Sequence, residues 1–424
     1  MNKPSFIISA PVDTYSGYGA RARDIVKSII ELDKYDVKIL PQRWGDTPTD
    51  FINNHSNWSF LKPLCIPNLT AKPDIWMQIT IPSEFQPVGN YNIGCTAGIE
   101  STGCASSWID GLNKMDLNLV SSEHSKKVFS DIKFEQKDKQ TNQVVNIIKL
   151  EKPIEVIFEG VDLDTYFYKK PQDVTLDLKE IDEAFCYLFV GHWMNGAFGH
   201  DRKNVGLMVR NFFEAFKNKK SQPALILKAC IGRNSYISRE ELLQRIKVIK
   251  TQYPKGTKLP NVYIFNGNLS DTQMNDLYNH PKVKSMVSFT KGEGYGRPLA
   301  EFGLSKKPII ASAWSGHVDF LTQGNCILVP GDLEPVHESA ANQWLLKETQ
   351  WFKINDKESI KAFKDVYENY KKYTVGAKKH GHHIKTNFSF DAMKELLGNV
   401  LKENIPFIPK QVELSLPQLI TPKL

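Results

Sequence analysis

The 424-residue sequence has no apolar run long enough to span a bilayer and no C-x-x-C pair. The first absence excludes a helix-spanning membrane protein. The second leaves six cysteines scattered at Cys65, Cys95, Cys104, Cys186, Cys230 and Cys326, a pattern expected of reduced thiols in a cytoplasmic protein with no zinc site. Residues 5–10 are apolar but too few for the core of a secretion signal, so they are expected to form a first buried strand. Strong charge of either sign is also lacking. Against 54 Lys and Arg stand 47 Asp and Glu, and the net charge of +7 leans only moderately toward nucleotide phosphates, phospholipid heads or nucleic acid. An apolar content of 41% excludes a disordered chain, and the length allows two domains with separate cores.

The most informative stretch is 287–321, VSFTKGEGYGRPLAEFGLSKKPIIASAWSGHVDFL. It reads as a strand, a turn with Gly292, Gly294 and Gly296, and a helix with Pro298 in its first turn. Lys306, Lys307 and Pro308 close that helix, and a second strand leads into a loop at Gly316. Glycines let backbone approach a ligand and adopt positive φ, and a helix N-terminus offers unpaired N–H groups to a phosphate. Glu293 and Glu301 flank the turn, and carboxylates are good acceptors for sugar hydroxyls. Phosphate and hydroxyl groups together suggest a nucleotide sugar. An ordinary strand-turn-helix connection, with both glutamates on solvent, accounts for the glycines equally well.

The rest of the chain reads as alternating strands and helices. A strand at 6–9 leads through a loop with Gly17 and Gly19 into a helix with Ile25, Val26, Ile29 and Ile30, the opening unit of a doubly wound domain. Residues 42–72 are irregular. Glu84 and Glu100 follow the ends of strands expected at 74–79 and 91–97, where α/β sheets place their ligands. After a strand at 115–121, Ser122 or Ser125 can cap a helix that carries His124 in its first turn. Residues 133–149 read as a polar surface loop. Asp162 and Asp164 spell D-x-D at what reads as an interdomain linker. A strand at 185–190 ends at His192, Arg202 and Lys203 precede a helix with Leu207, Met208, Phe212 and Phe216 on one face, and Lys228 ends the strand at 224–229. Ser270 or Asp271 caps a helix at 272–279. The basic run 378–385, with His380, His382 and His383, reads as a solvated face rather than a metal site.

Seven residues separate Glu293 from Glu301, and EGYGRPLAEFGLSKKPIIAS is similar to the E-x7-E signature EGFGLPxxEAMACGxPVVAS of retaining GT-B glycosyltransferases. The resemblance is to the family typified by sucrose and glycogen synthases and mannosyltransferases, and it covers most of residues 5–400. It implies an α/β GT-B fold of two facing Rossmann-like domains. The expected division is an acceptor-side domain at 1–170, a nucleotide-sugar domain at 171–387, a helix at 388–404 packing back on the first domain, and a Pro-rich tail at 405–424. By the same resemblance Glu293 lies beside the transferred sugar and Glu301 accepts from the ribose. Backbone at Gly294, Tyr295, Gly296 and Arg297 holds the diphosphate, with Lys203 neutralising the leaving group. His192 stands where the family has arginine, so Arg202 or Lys228 is expected to compensate. Gly17 and Gly19 are further donor contacts, and His124, Glu100 and Glu84 are acceptor or sugar contacts. No metal and no cofactor beyond the donor substrate is implied, and the acceptor is expected on a glycan or lipid-linked glycan. Two other readings remain: a DNA glycosyltransferase of the phage type, and a nucleotide-sugar-binding protein without turnover. Peripheral contact with an anionic surface is also compatible with the charge.

Overall fold

The computed structural model describes residues 3–138 and 140–408, so most of the expected Pro-rich tail lies outside the described residues. The chain opens with β1 (Ser5–Ala10), α1 (Gly17–Glu31), β2 (Asp36–Pro41), α2 (Phe51–Asn54), β3 (Ile75–Ile79), β4 (Tyr91–Cys95), α3 (Ser106–Asn113), β5 (Leu117–Val120) and α4 (Glu123–Asp131). A hairpin of β6 (Lys133–Lys137) and β7 (Val144–Lys149) follows, then β8 (Ile154–Val156). The second half holds β9 (Cys186–His192), α5 (Val205–Phe216), β10 (Ala224–Cys230), α6 (Tyr236–Lys250), β11 (Val262–Ile264), α7 (Asp271–Asn279), β12 (Val283–Ser288), α8 (Arg297–Gly303), β13 (Ile309–Ser312) and β14 (Ile327–Val329). It ends with β15 (Gly331–Pro335), β16 (Gln350–Ile354), α9 (Asp356–Glu368), α10 (Tyr370–Asn387) and α11 (Phe390–Asn404).

Two six-stranded parallel sheets result, ordered β2-β1-β3-β4-β5-β8 and β11-β10-β9-β12-β13-β14. Their strands are near-continuous apolar runs because helices cover both faces. Ile8, Met77, Ile93 and Leu119 are buried in the first sheet, and Leu188, Ile226, Met286 and Ile310 in the second. Strand order reverses at β1/β3 and at β9/β12. Such switch points open a crevice at the carboxyl ends of the strands. The first sheet's crevice receives the loop after β1, and the second's receives the loops after β9 and β12. The closing helix α11 places Phe390, Met393, Leu397 and Leu401 in the core of the first sheet. The chain therefore crosses back from the second domain, and a bridge between Val161 and Ser389 ties the two crossing segments.

Three local readings change. Residues 133–149 form a hairpin rather than a loop, with Phe134 and Ile148 paired and packed inward. The irregular segment at 42–72 contains α2 and a 3-10 helix, Ser56–Leu64. The basic run 378–385 is solvated on one side only: His380 is buried, because Gly303 of α8 leaves room for its ring. Both caps left open resolve to serine. Ser122 accepts from Ser125 N at the start of α4, and Ser270 forms a capping box with Gln273 at the start of α7.

Candidate active site

The loop after β12 is shaped by how closely it meets the other domain. A Cβ on Gly292 would lie 1.8 Å from the Glu100 carbonyl oxygen, and one on Gly294 would lie 2.2 Å from that of Ala97. Of the three turn glycines, Gly296 alone needs positive φ, at 98°, where it caps α8. Gly292 and Gly294 thus have a reason to be glycine besides ligand approach: they admit the backbone after β4. Ser121 fastens the contact by donating to the carbonyls of Ala97 and Gly294, at 2.7 and 3.0 Å.

A second latch joins Asp319, in the turn after β13, to the N-terminus of α4, where its carboxylate accepts from Glu123 N at 2.8 Å. Burial pushes the Asp319 carboxyl up to about 6 from 3.8, and the neighbouring Glu123 charge also opposes ionisation. The closed protein therefore keeps a proton that solvated Asp319 would release. This contribution to closure is complete below pH ~4 and is lost as pH rises through about 6. Small-angle scattering between pH 4 and 7 is expected to show expansion in the wild type. Asp319→Asn, which keeps an acceptor without a charge, is expected to remove that step.

Within the loop, Glu293 is buried and its backbone N–H donates to Ser315 Oγ at 2.9 Å. Its carboxylate is paired with Lys203 and lies 3.5 Å from Arg202. Burial alone would raise this carboxyl, but Lys203 and Arg202 outweigh it and hold it at about 2. Arg202 also reaches Glu100 at 3.5 Å and donates to the Gly292 carbonyl at 2.8 Å. The turn that presents both cations is set by Asn204 in the left-handed region and by Asp201, whose carboxylate accepts from Val205 N. Glu293, Lys203, Arg202 and Glu100 thus form one cluster that spans the two domains.

Beside it lies an interdomain cavity of about 770 Å³, lined on one side by Tyr15, Gly17 and Asp46 and on the other by His192, Lys228, Cys230 and Asn268. Lys228 donates to the Gly267 carbonyl at 2.7 Å. Burial lowers its ammonium, and Cys230 is the single group that favours its charge. It is a half-buried cation with no carboxylate within ion-pair distance among the described residues, which is what an incoming anion requires. Burial and the charges of Lys203, Arg202 and Lys228 all disfavour a proton on His192, so its imidazole is neutral beside these cations. Its Nδ1 is 3.3 Å from Cys230 Sγ.

Arg297 and Glu301 belong to a smaller cavity lined by Arg23, Asp24, Phe51, Trp58, Tyr166 and Asp271. Arg297 reaches Asp24 of α1 at 2.5 Å, Glu301 at 3.0 Å and Glu159 at 3.8 Å. Glu301 also accepts from Tyr278 Oη at 3.0 Å. Burial pushes the Glu301 carboxyl up to about 7 against the pull of Arg297. Asp24, Glu159 and Tyr278 were missed by sequence reasoning. The available signal was Arg297, a charge where the family pattern has leucine, which calls for buried carboxylates around it.

Four of the expected site residues have local packing or hydrogen-bonding roles. Gly19 is buried in the first turn of α1, where a Cβ would meet the Thr14 carbonyl oxygen at 2.4 Å, so its role is helix–loop packing. The Tyr295 ring is buried against Phe320 at 4.9 Å, while the expected diphosphate contact is through its backbone. Glu84 is exposed and its carboxylate accepts from Thr80. His124 packs edge-on against Trp314 at 4.6 Å, and burial brings its imidazole down to about 4. Asp162 is spent on its own turn, accepting from Asp164 N and Thr165 Oγ1 at 3.0 Å each. Among the described residues no group of three His, Cys, Asp or Glu side chains is arranged to hold a metal ion.

Two doubly wound domains facing across such a cleft define the GT-B fold, and solved GT-B structures superpose over nearly the whole chain. Anabaena HepE, determined with UDP and glucose, matches with a TM-score of 0.59 at 13% identity, covering 94% of this chain and 100% of that one. A glycosyltransferase from Rickettsia africae gives 0.60 at 15% identity, with 96% and 99% covered. Sucrose-phosphate synthase from Thermosynechococcus elongatus gives 0.61 at 12%, with 95% and 99% covered. No protein-family model and no curated protein sequence matches the chain. No helix among the described residues is long and apolar enough to cross a membrane.

Proposed function

We propose that this chain is a retaining glycosyltransferase that moves a sugar from a nucleotide-diphosphate sugar to an acceptor hydroxyl without a catalytic metal. The observation that supports it best is the Glu293–Lys203–Arg202 cluster, whose two cations act on His192 in the wall of a cavity that also holds Lys228. In this reading the donor diphosphate enters the cavity, and Lys228 and Lys203 neutralise it. Lys228 then does the work of the arginine that His192 replaces, because Arg202 is already committed to Glu293, Glu100 and the Gly292 carbonyl.

Moving Lys203 toward the phosphates frees one side of the Glu293 carboxylate for the sugar. An ionised carboxylate there can accept from sugar hydroxyls and stabilise the positive charge that develops at the anomeric carbon. The leaving phosphate takes the acceptor proton as the acceptor hydroxyl attacks from the same face, so retention needs no separate base. Glu301, released from Arg297, accepts from the ribose hydroxyls.

The test is release of nucleotide from a panel of nucleotide sugars in the presence of EDTA, with UDP-glucose first because HepE has been determined with it. Slow hydrolysis of one donor, lost in Lys228→Ala, is expected. Absence of both turnover and binding for every donor would overturn the reading.

A further inference from the structure

Helix α10 (Tyr370–Asn387) carries Lys371, Lys372, Lys378, Lys379 and Lys385 and no Asp or Glu. All five lysines are exposed. On the flanking helices Lys361 pairs with Glu358, and Lys394 with Glu31 and Asp391, whereas among the described residues none of the five on α10 has a carboxylate within ion-pair distance. Five positive charges without an ion-pair partner therefore sit on one helix of a chain whose net charge is +7.

Their spacing makes a stripe. Lys371, Lys378 and Lys385 recur at two-turn intervals, with Lys372 and Lys379 alongside, so the row is about 21 Å long. Lys306 extends it: this exposed residue lies against α10 at Gly381, where a Cβ would meet its Cγ at 3.0 Å. One carboxylate on the neighbouring helices acts on the row: Asp365 of α9 accepts from Asn369 and Tyr373 and also feels the charge of Lys372, whereas Glu368 faces Lys219 at 3.9 Å.

We propose that this stripe is a docking surface for the sugar-phosphate backbone of duplex nucleic acid. A row of exposed ammonium groups without ion-pair partners along one helix fits a regular line of phosphates and reads no sequence. An anionic membrane fits less well. A helix that lies in a bilayer surface buries an apolar face in it, but the apolar face of α10, with Ala377 and Ile384, is already buried within the protein. Val375, 59% exposed, is the one large aliphatic residue exposed on α10. The proposal does not depend on the donor chemistry, since none of these lysines lines either interdomain cavity.

The experiment is fluorescence anisotropy of a labelled duplex of about 20 base pairs of arbitrary sequence, titrated with the full-length protein across a NaCl series. The comparison is a variant carrying Lys371→Gln, Lys378→Gln, Lys379→Gln and Lys385→Gln, together with phosphatidylserine vesicles as a second probe. The wild type is expected to bind the duplex with affinity falling steeply with salt, by close to one log unit per log unit of salt for each phosphate contacted. The variant is expected to bind at least about tenfold more weakly and with a shallower slope. Its melting temperature and donor hydrolysis should match the wild type. Equal duplex binding by the two proteins, no duplex binding at low salt, or binding to vesicles alone would each overturn the proposal.

Discussion

Replacing Glu293 with alanine is expected to lower donor turnover by about 100- to 1000-fold, the range seen when one preorganised electrostatic group is removed from an active site. The same change leaves Lys203 buried without its main counter-charge and Arg202 with Glu100 alone, and breaking such a pair from one side destabilises by about 3–5 kcal/mol. Loss of activity could therefore follow from loss of fold, and a second pair of variants separates the two. Glu293→Gln keeps an oxygen for Lys203 to donate to but removes the charge that the proposed mechanism needs. Combining it with Lys203→Met removes the orphaned ammonium. The double variant is expected to recover most of the melting temperature and none of the turnover. Recovery of turnover along with stability would show that the pair is structural and that the charge on Glu293 does no chemistry.

The acid limb provides an independent check on Glu293. Its carboxyl is held at about 2, so turnover should show no titration of this group near neutrality. Glu301, raised to about 7 by burial, is the carboxylate expected to titrate in the working range. Donor affinity should then rise as pH increases through about 7, since the ionised form has the greater capacity to accept from ribose hydroxyls. Titration calorimetry with wild type and Glu301→Gln at pH 6 and 8 tests this: the dependence should be present in the first and absent in the second.

The fold was legible because its signals are local. Each strand of the two sheets is a short apolar run ending in a loop with glycine, serine or a charged residue, and this alternation with helices is a sequence pattern. The pairing of Glu293 with Lys203 was less accessible. Both were named as site residues, but their mutual contact depends on how the turn through Asn204 aims the lysine, a backbone conformation that sequence does not display. Asp24 and Glu159 were missed for a further reason. They come from the first domain, and their meaning appears only when the second domain brings Arg297 to them. The hairpin at β6 and β7 was read as a loop because the segment is polar and charge-rich, and its exposed Val145 and Ile147 give no clear polar-out alternation. The case of His380 is similar: its neighbours in sequence are exposed lysines, and the space it fills is made by a glycine nearly eighty positions away.

Gly294→Ala is the other change expected to have a large effect, and for a reason that composition of the turn alone would not suggest. A Cβ there would overlap the Ala97 carbonyl oxygen at 2.2 Å, a backbone atom that cannot rotate away. Gly292→Ala is more severe, at 1.8 Å from the Glu100 carbonyl oxygen. Neither glycine has positive φ, so alanine is not strained within its own loop. The least costly relief is for the two domains to separate. Each sheet keeps its own core, so the melting temperature is expected to stay close to the wild-type value while the scattering radius grows. Turnover should fall by at least about 100-fold, because a displacement on the order of 1 Å in reacting groups is enough for that loss. Gly296→Ala makes the contrast: its φ of 98° puts the strain inside the α8 cap, so it should lower stability without opening the cleft. If Gly294→Ala instead left both radius and turnover unchanged, the backbone after β4 would have to be compliant, and the close approach of the two loops would not be what sets the active geometry.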